Sequence, residues 1–97
     1  MAHPRVAALS QQLGALPSFT AGGRQFTMFF IGVHEPTLPT ERHYVVDFGA
    51  RNTTESFRGQ LLLGGDTFER DDVSALAVST MKEIIEGRLP PGARQLL

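Results

Sequence analysis

The residues of this chain that could do chemistry are few, and their spacing groups none of them. The absence of cysteine removes disulfides, thiolate nucleophiles and cysteine-based zinc sites together. The histidines are His3, His34 and His43. His43 and Asp47 share one face of a strand but stand four residues apart, about 13 Å at strand rise, too far for a general-base dyad. His34-Glu35 runs into Pro36-Thr37-Leu38 with no second histidine at i+4, so a helical zinc-binding pair is absent. Ser10, Ser18, Ser56, Ser74 and Ser79 lie in no Gly-x-Ser-x-Gly elbow. Gly64-Gly65-Asp66 precedes a helix, as phosphate loops do. The Gly-Lys-Ser/Thr ending is missing, however, and Asp66, Glu69, Asp71 and Asp72 would oppose an anion there. The expectation is a protein that is not an enzyme, with no catalytic residue, no metal and no cofactor. A small enzyme around His34 or His43 is an alternative, and it would need the fold to bring one of them, or Asp47, to another polar group.

Ninety-seven residues, 41% apolar and 20% charged, describe one soluble globular domain with no room for a second core. No stretch approaches the roughly 18–20 uninterrupted apolar residues of a membrane span. The start, Met1 to Arg5, lacks the basic-then-apolar build of a secretory signal, since Gln11 and Gln12 interrupt the early apolar positions. A cytoplasmic address is therefore expected. Eight arginines to one lysine, with frequent Ala, Gly and Leu, is the usage of a GC-rich bacterial or phage genome. Compact chains of that setting without catalytic motifs are often inhibitors, immunity proteins or accessory factors.

The net charge of −1 is unevenly spread. Residues 66–86 hold six acids against two basic residues. Asp66, Glu69, Asp71 and Asp72 form a candidate acidic docking edge, and such an edge repels a phosphate backbone. A nucleic-acid-binding domain is the other alternative, and it would need Arg24, Arg42, Arg51 and Arg58 on one surface.

The elements that must position these residues follow from periodicity. Val73, Leu76, Ala77, Met81, Ile84 and Ile85 form a single helical stripe within residues 71–86. Asp71 or Asp72 can cap its start, Gly87 can take the C′ position, and Pro90-Pro91 prevent continuation. A first helix over 4–13 begins at Pro4 and carries Val6, Leu9 and Leu13 on one side. Leu16 and Phe19 bring the chain back across the core, and Thr20 to Gly23 read as a turn. Strands are expected at 24–33, 41–50 and 55–63, with Gly59 marking a bulge or a close neighbour, and residues 88–97 as an extended tail. The fold class is α+β: a two-layer sandwich in which a three-stranded antiparallel meander carries two helices on one face, in the order α-β-β-β-α. Its core is expected to hold Val6, Leu9, Leu13, Phe26, Met28, Phe30, Tyr44, Val46, Phe48, Phe57, Leu61, Leu63, Leu76, Met81 and Ile84.

That arrangement leaves Phe29, Ile31, Val33, Val45 and Leu62 on the second sheet face, an apolar patch that monomers seldom leave uncovered. These five are the candidate interface with another protein and with a second copy, as a homodimer. The element order over residues 5–87 resembles that of the double-stranded RNA-binding domain. In that family the second helix opens with a lysine-rich stretch that grips phosphates, whereas Glu69-Arg70-Asp71-Asp72 stands here. The resemblance implies an architecture and not RNA binding.

Overall fold

The structure, a computed structural model, describes residues 4–70 and 72–96; His3, Asp71 and Leu97 fall outside them. The elements run α1 (Pro4–Ala15), β1 (Phe19–Ala21), β2 (Arg24–His34), β3 (Tyr44–Arg51), β4 (Ser56–Leu63), α2 (Gly65–Phe68), α3 (Val73–Ile85) and β5 (Arg94–Leu96). The class is α+β, but the sheet has five strands in the order β1-β2-β3-β4-β5 and not three. Within it, β2, β3 and β4 form the expected antiparallel meander.

Both added strands have local causes. Gly22 and Gly23, with φ of 58° and 77°, let Ala21 pair directly with Arg24, so the expected turn closes a two-residue hairpin. A loop with two successive positive φ values turns with the twist of its strands, and glycine takes it without a Cβ clash. At the far edge, the tail returns as β5 parallel to β4, with Leu61 opposite Gln95. A parallel neighbour needs a long crossover, which α2 and α3 supply. The Thr80 hydroxyl donates to Gln95 Oε1 at 2.9 Å and ties β5 to the crossover helix.

The third departure is a β-bulge. Phe30 pairs with Phe48, but the next pair is Gly32 with Asp47, so Ile31 is an extra residue. Side chains alternate along a strand, and one extra residue reverses the facing of everything beyond it. Phe26 and Met28 before the bulge are buried, and Val33 beyond it lies opposite buried Val46 and packs against the same core.

All three helices cover one face. α1 lies on β2, α3 and α2 on β4, and α1 touches α3. Between the layers, Leu9, Leu13, Phe26, Val46, Phe48, Leu61, Leu63 and Met81 are essentially inaccessible. Of the expected core residues, Val6, Phe30, Tyr44, Phe57 and Leu76 sit at its margin, partly buried. Phe68 is a buried member that the periodicity does not reveal, because α2 is only four residues long. Its ring stacks on Tyr44 with centroids 4.1 Å apart, and Arg5 reaches from α1 to donate to the carbonyls of Phe68 and Arg70. Gly59 faces Ile84 and Phe48, so a close neighbour and not a bulge explains it.

Asp72 stands at the N-cap of α3 but makes no side-chain capping bond; its carboxylate pairs with Arg70 at 2.6 Å. At the other end Gly87, with φ of 84°, donates to Ile84 O while Arg88 N donates to Glu83 O, the paired bonds of a Schellman stop. Among the described residues no helix is long and apolar enough to cross a membrane.

Candidate functional site

With the helices on one side, the opposite face of the sheet has no covering element among the described residues. Its side chains come from Thr27 and Phe29 on β2, Val45, Asp47 and Arg51 on β3, Arg58, Gln60 and Leu62 on β4, and Arg94 and Leu96 on β5. Cross-strand register arranges them in three bands.

The first band is cationic and aromatic. Phe29 lies across Gly49, its direct partner on β3, and the Arg51 guanidinium stacks above the ring at 5.0 Å. Gly49 permits this because a Cβ there would stand 2.5 Å from Phe57 O and closer still to the Phe29 ring. The second band is polar. Gln60 Nε2 donates to Asp47 Oδ1 at 2.5 Å, and Arg94 Nε donates to Gln60 Oε1 at 2.6 Å. Beside this relay Ile31, Arg58 and Gly92 close the walls of a shallow depression. The third band is apolar: Val45, Leu62 and Leu96 stand opposite one another across three strands. Leu96 and the bulged Ile31 are 67% and 44% exposed, unusual for large apolar side chains.

The arginines of this face form no ion pair among the described residues. Arg24 pairs with Glu55 at 2.7 Å, Arg70 with Asp72, and Arg88 with Glu83 and Glu86. All of those pairs lie away from the open face. Arg51, Arg58 and Arg94, which lie on it, have no carboxylate partner among the described residues, and Asp47 is the acid between them.

The expected site residues are therefore divided. Phe29, Ile31, Val45 and Leu62 lie on the open face, though Phe29 is covered by Arg51. Val33 is corrected to the core face by the bulge. Asp66 in α2 and Glu69 at its end are exposed, while Asp72 is taken up by Arg70. The four strand-end arginines do not share a surface: Arg51 and Arg58 do, Arg24 is held by Glu55, and Arg42 is exposed in the loop before β3. Gln60 joins the face by its alternation with Leu62, while Arg94 and Leu96 join it from the tail, where no sequence pattern marks a strand.

The histidines have different roles. His34 Nε2 lies 2.6 Å from Glu41 Oε2, while Glu41 Oε1 accepts from Leu38 N at 3.0 Å and from Thr37. The His34 bond and then the Leu38 amide hold the Glu41 carboxyl below its ordinary pKa. His34 is exposed and Glu41 half-buried, and their bonds close the proline-containing loop upon itself. No hydrogen bond or ion pair joins His43 to Asp47 among the described residues, and Asp47 accepts instead from Gln60. Among the described residues no three His, Asp or Glu side chains are grouped to hold a metal.

No family model, no curated protein and no solved structure matches this chain.

Proposed function

We propose that this chain is a non-enzymatic protein-binding module, using the open sheet face to occlude part of a partner as an inhibitor, immunity or accessory factor of bacterial or phage type. One observation carries the reading: a face left uncovered by the described residues joins exposed Ile31 and Leu96 to three arginines that have no carboxylate partner among them. Apolar anchors supply affinity in an interface, and arginine is among the residues enriched there. The His34–Glu41 pair supports an enzyme less well, because its carboxylate is spent on the loop's own amides and the depression beside it, lined by Thr40, Glu41, Arg42, His43 and Val45, lies open to solvent.

A homodimer through the same face is the second reading, favoured by the apolar row Val45-Leu62-Leu96. It would bring Arg51, Arg58 and Arg94 of two copies together with only Asp47 on each side to offset them. Like charges across an interface oppose association, so a partner of other chemistry fits better.

The test is Ile31→Asp. The side chain is already half out of the fold, so the variant should stay folded with a melting temperature close to that of the parent. Affinity capture from the native host, followed by reassembly from purified components, should give a complex with the parent and none with Ile31→Asp. Light scattering over a dilution series separates the two readings: a monomer at all concentrations favours the partner, a dimer lost in Ile31→Asp favours the second copy. A variant that assembles like the parent removes the open face from the reading.

A further inference from the structure

The depression in the middle band has the make-up of a specific receptor, and we propose that it grips a side-chain carboxylate of the partner protein between Arg58 and Arg94. The inference rests on the reading of the open face as a protein-binding surface and goes on to name the group that is bound.

Arg94 is pre-aimed. A carboxylate only accepts hydrogen bonds and a guanidinium only donates them, so an amide between the two fits in one orientation. Gln60 has that orientation, with Nε2 toward Asp47 and Oε1 toward Arg94 Nε. The relay holds the guanidinium through Nε and leaves its two terminal amino groups for a ligand. Arg58 faces the same depression from β4 and has no carboxylate partner among the described residues. It lies two residues from Gln60, which stands opposite Arg94. The two arginines are thus diagonal neighbours, about 7–8 Å apart at the backbone. Long side chains at that spacing can converge on one small anion, and charge-assisted arginine bonds to a carboxylate are among the stronger ones available. The strap behind them is fixed, because Gly92 N donates to Arg58 O at 2.8 Å and Gln60 N to Ala93 O at 2.9 Å.

Three features favour a protein carboxylate over a nucleic-acid phosphate. Asp47 lines the same depression and opposes the run of charges along a nucleic-acid backbone more than it opposes one isolated carboxylate. Ile31 and the Val45-Leu62-Leu96 row adjoin it, offering apolar contact to the residues flanking an acidic side chain. Single-stranded nucleic acid is held on sheets by exposed aromatic rings, whereas on this face Phe29 is half-buried under Arg51 and His34 is held by Glu41.

The Nε–Hε signals of the arginines, resolved by 15N NMR in the full chain, read the site directly. The probes are an acetylated, amidated Leu-Glu-Leu-Glu-Leu peptide, its Leu-Gln-Leu-Gln-Leu counterpart, inorganic phosphate and a twelve-nucleotide oligo-dT strand. The glutamate peptide should shift Arg58 and Arg94 saturably, with the glutamine peptide and phosphate weaker by about tenfold or more. Arg58→Gln and Arg94→Gln, both at the surface, should each weaken the glutamate peptide by a similar factor. Phosphate or oligo-dT saturating these signals at lower concentration than the glutamate peptide would overturn the proposal, as would signals that no probe moves. If the peptide leaves both arginines unmoved while Ile31→Asp still abolishes a reconstituted complex, the carboxylate receptor falls and the protein-binding reading stands. If the peptide saturates the arginines but Ile31→Asp assembles like the parent, the protein source of the carboxylate falls.

Discussion

Gln60 is the residue on which the candidate site turns, because it makes one donor face Asp47 and one acceptor face Arg94. Replacing it tests orientation separately from charge. Gln60→Glu keeps the side chain's length but gives Arg94 a carboxylate of its own and sets a second acid beside Asp47. The internal ion pair should compete with any ligand acid, so the glutamate peptide should bind about tenfold more weakly though both arginines are intact. NMR titration reads this directly, and unchanged affinity would mean that Arg94 takes no part. Gly49 is constrained in another way. A methyl group there would meet the Phe57 carbonyl, which is backbone and does not swing aside. Gly49→Ala should therefore destabilise the fold by about 1–3 kcal/mol, measured by urea denaturation. Glu41 gives the pH dependence. Its folded pKa is lowered, so the contribution to loop closure is complete above the ordinary carboxylate pKa and is lost as pH falls through the lowered value. The amide of Leu38 should lose its exchange protection on acidification into that range while amides of β3 keep theirs. Equal loss at both sites would detach Glu41 from the loop.

At the scale of elements, long periodic segments were legible and short ones were not. The helical stripe from Val73 to Ile85 and the alternation of Tyr44, Val46 and Phe48 announce α3 and β3 because each repeats its period several times. β1 and β5 have three residues each, too few for a period, and exist because a neighbouring strand offers unpaired backbone groups. Gly22-Gly23 was the readable trace of β1, a two-residue hairpin signal between Ala21 and Arg24. Nothing comparable marks Arg94-Gln95-Leu96, so the Gln60–Arg94 contact, 34 residues apart, could not be read from the chain. Val33 illustrates a subtler limit. Strict alternation puts it with Ile31 on the open face, and only the bulge returns it to the core. The bulge itself is open to test by deletion. Removing Ile31 would leave Phe30 opposite Phe48 and Gly32 opposite Asp47 with regular alternation. The deletion should keep Val33 inside and cost little stability, about 1 kcal/mol or less, in keeping with the small effects of surface changes. Contacts between Val33 and Val46 in nuclear Overhauser spectra would persist. Their loss, with a cooperative drop in melting temperature, would show that the bulge sets the register and does not merely interrupt it.

For the whole molecule, the decisive property is an asymmetry of charge. Near α2 and α3, ion pairs such as Arg70–Asp72 and Arg88–Glu83 neutralise much of the acidic surplus locally. Among the described residues, the arginines of the open face have no carboxylate partners. Net charge therefore says little about what this protein meets in solution, and the sided distribution says more. Electrostatic complementarity acts mainly on encounter and specificity, and it is screened over about 8–10 Å at ordinary ionic strength. A complex formed through this face should accordingly associate more slowly as salt rises from 50 to 500 mM, with dissociation changing less. Replacing Arg51, which stacks on Phe29 at the edge of the face, should flatten that salt dependence without abolishing binding. Ile31→Asp should abolish binding at every salt concentration, because it introduces a charge where an apolar anchor is needed. Stopped-flow or biosensor kinetics on the reconstituted pair distinguish the two effects. If Arg51→Gln and Ile31→Asp both acted on dissociation alone, the arginines would be part of the tight contact and steering would have no role.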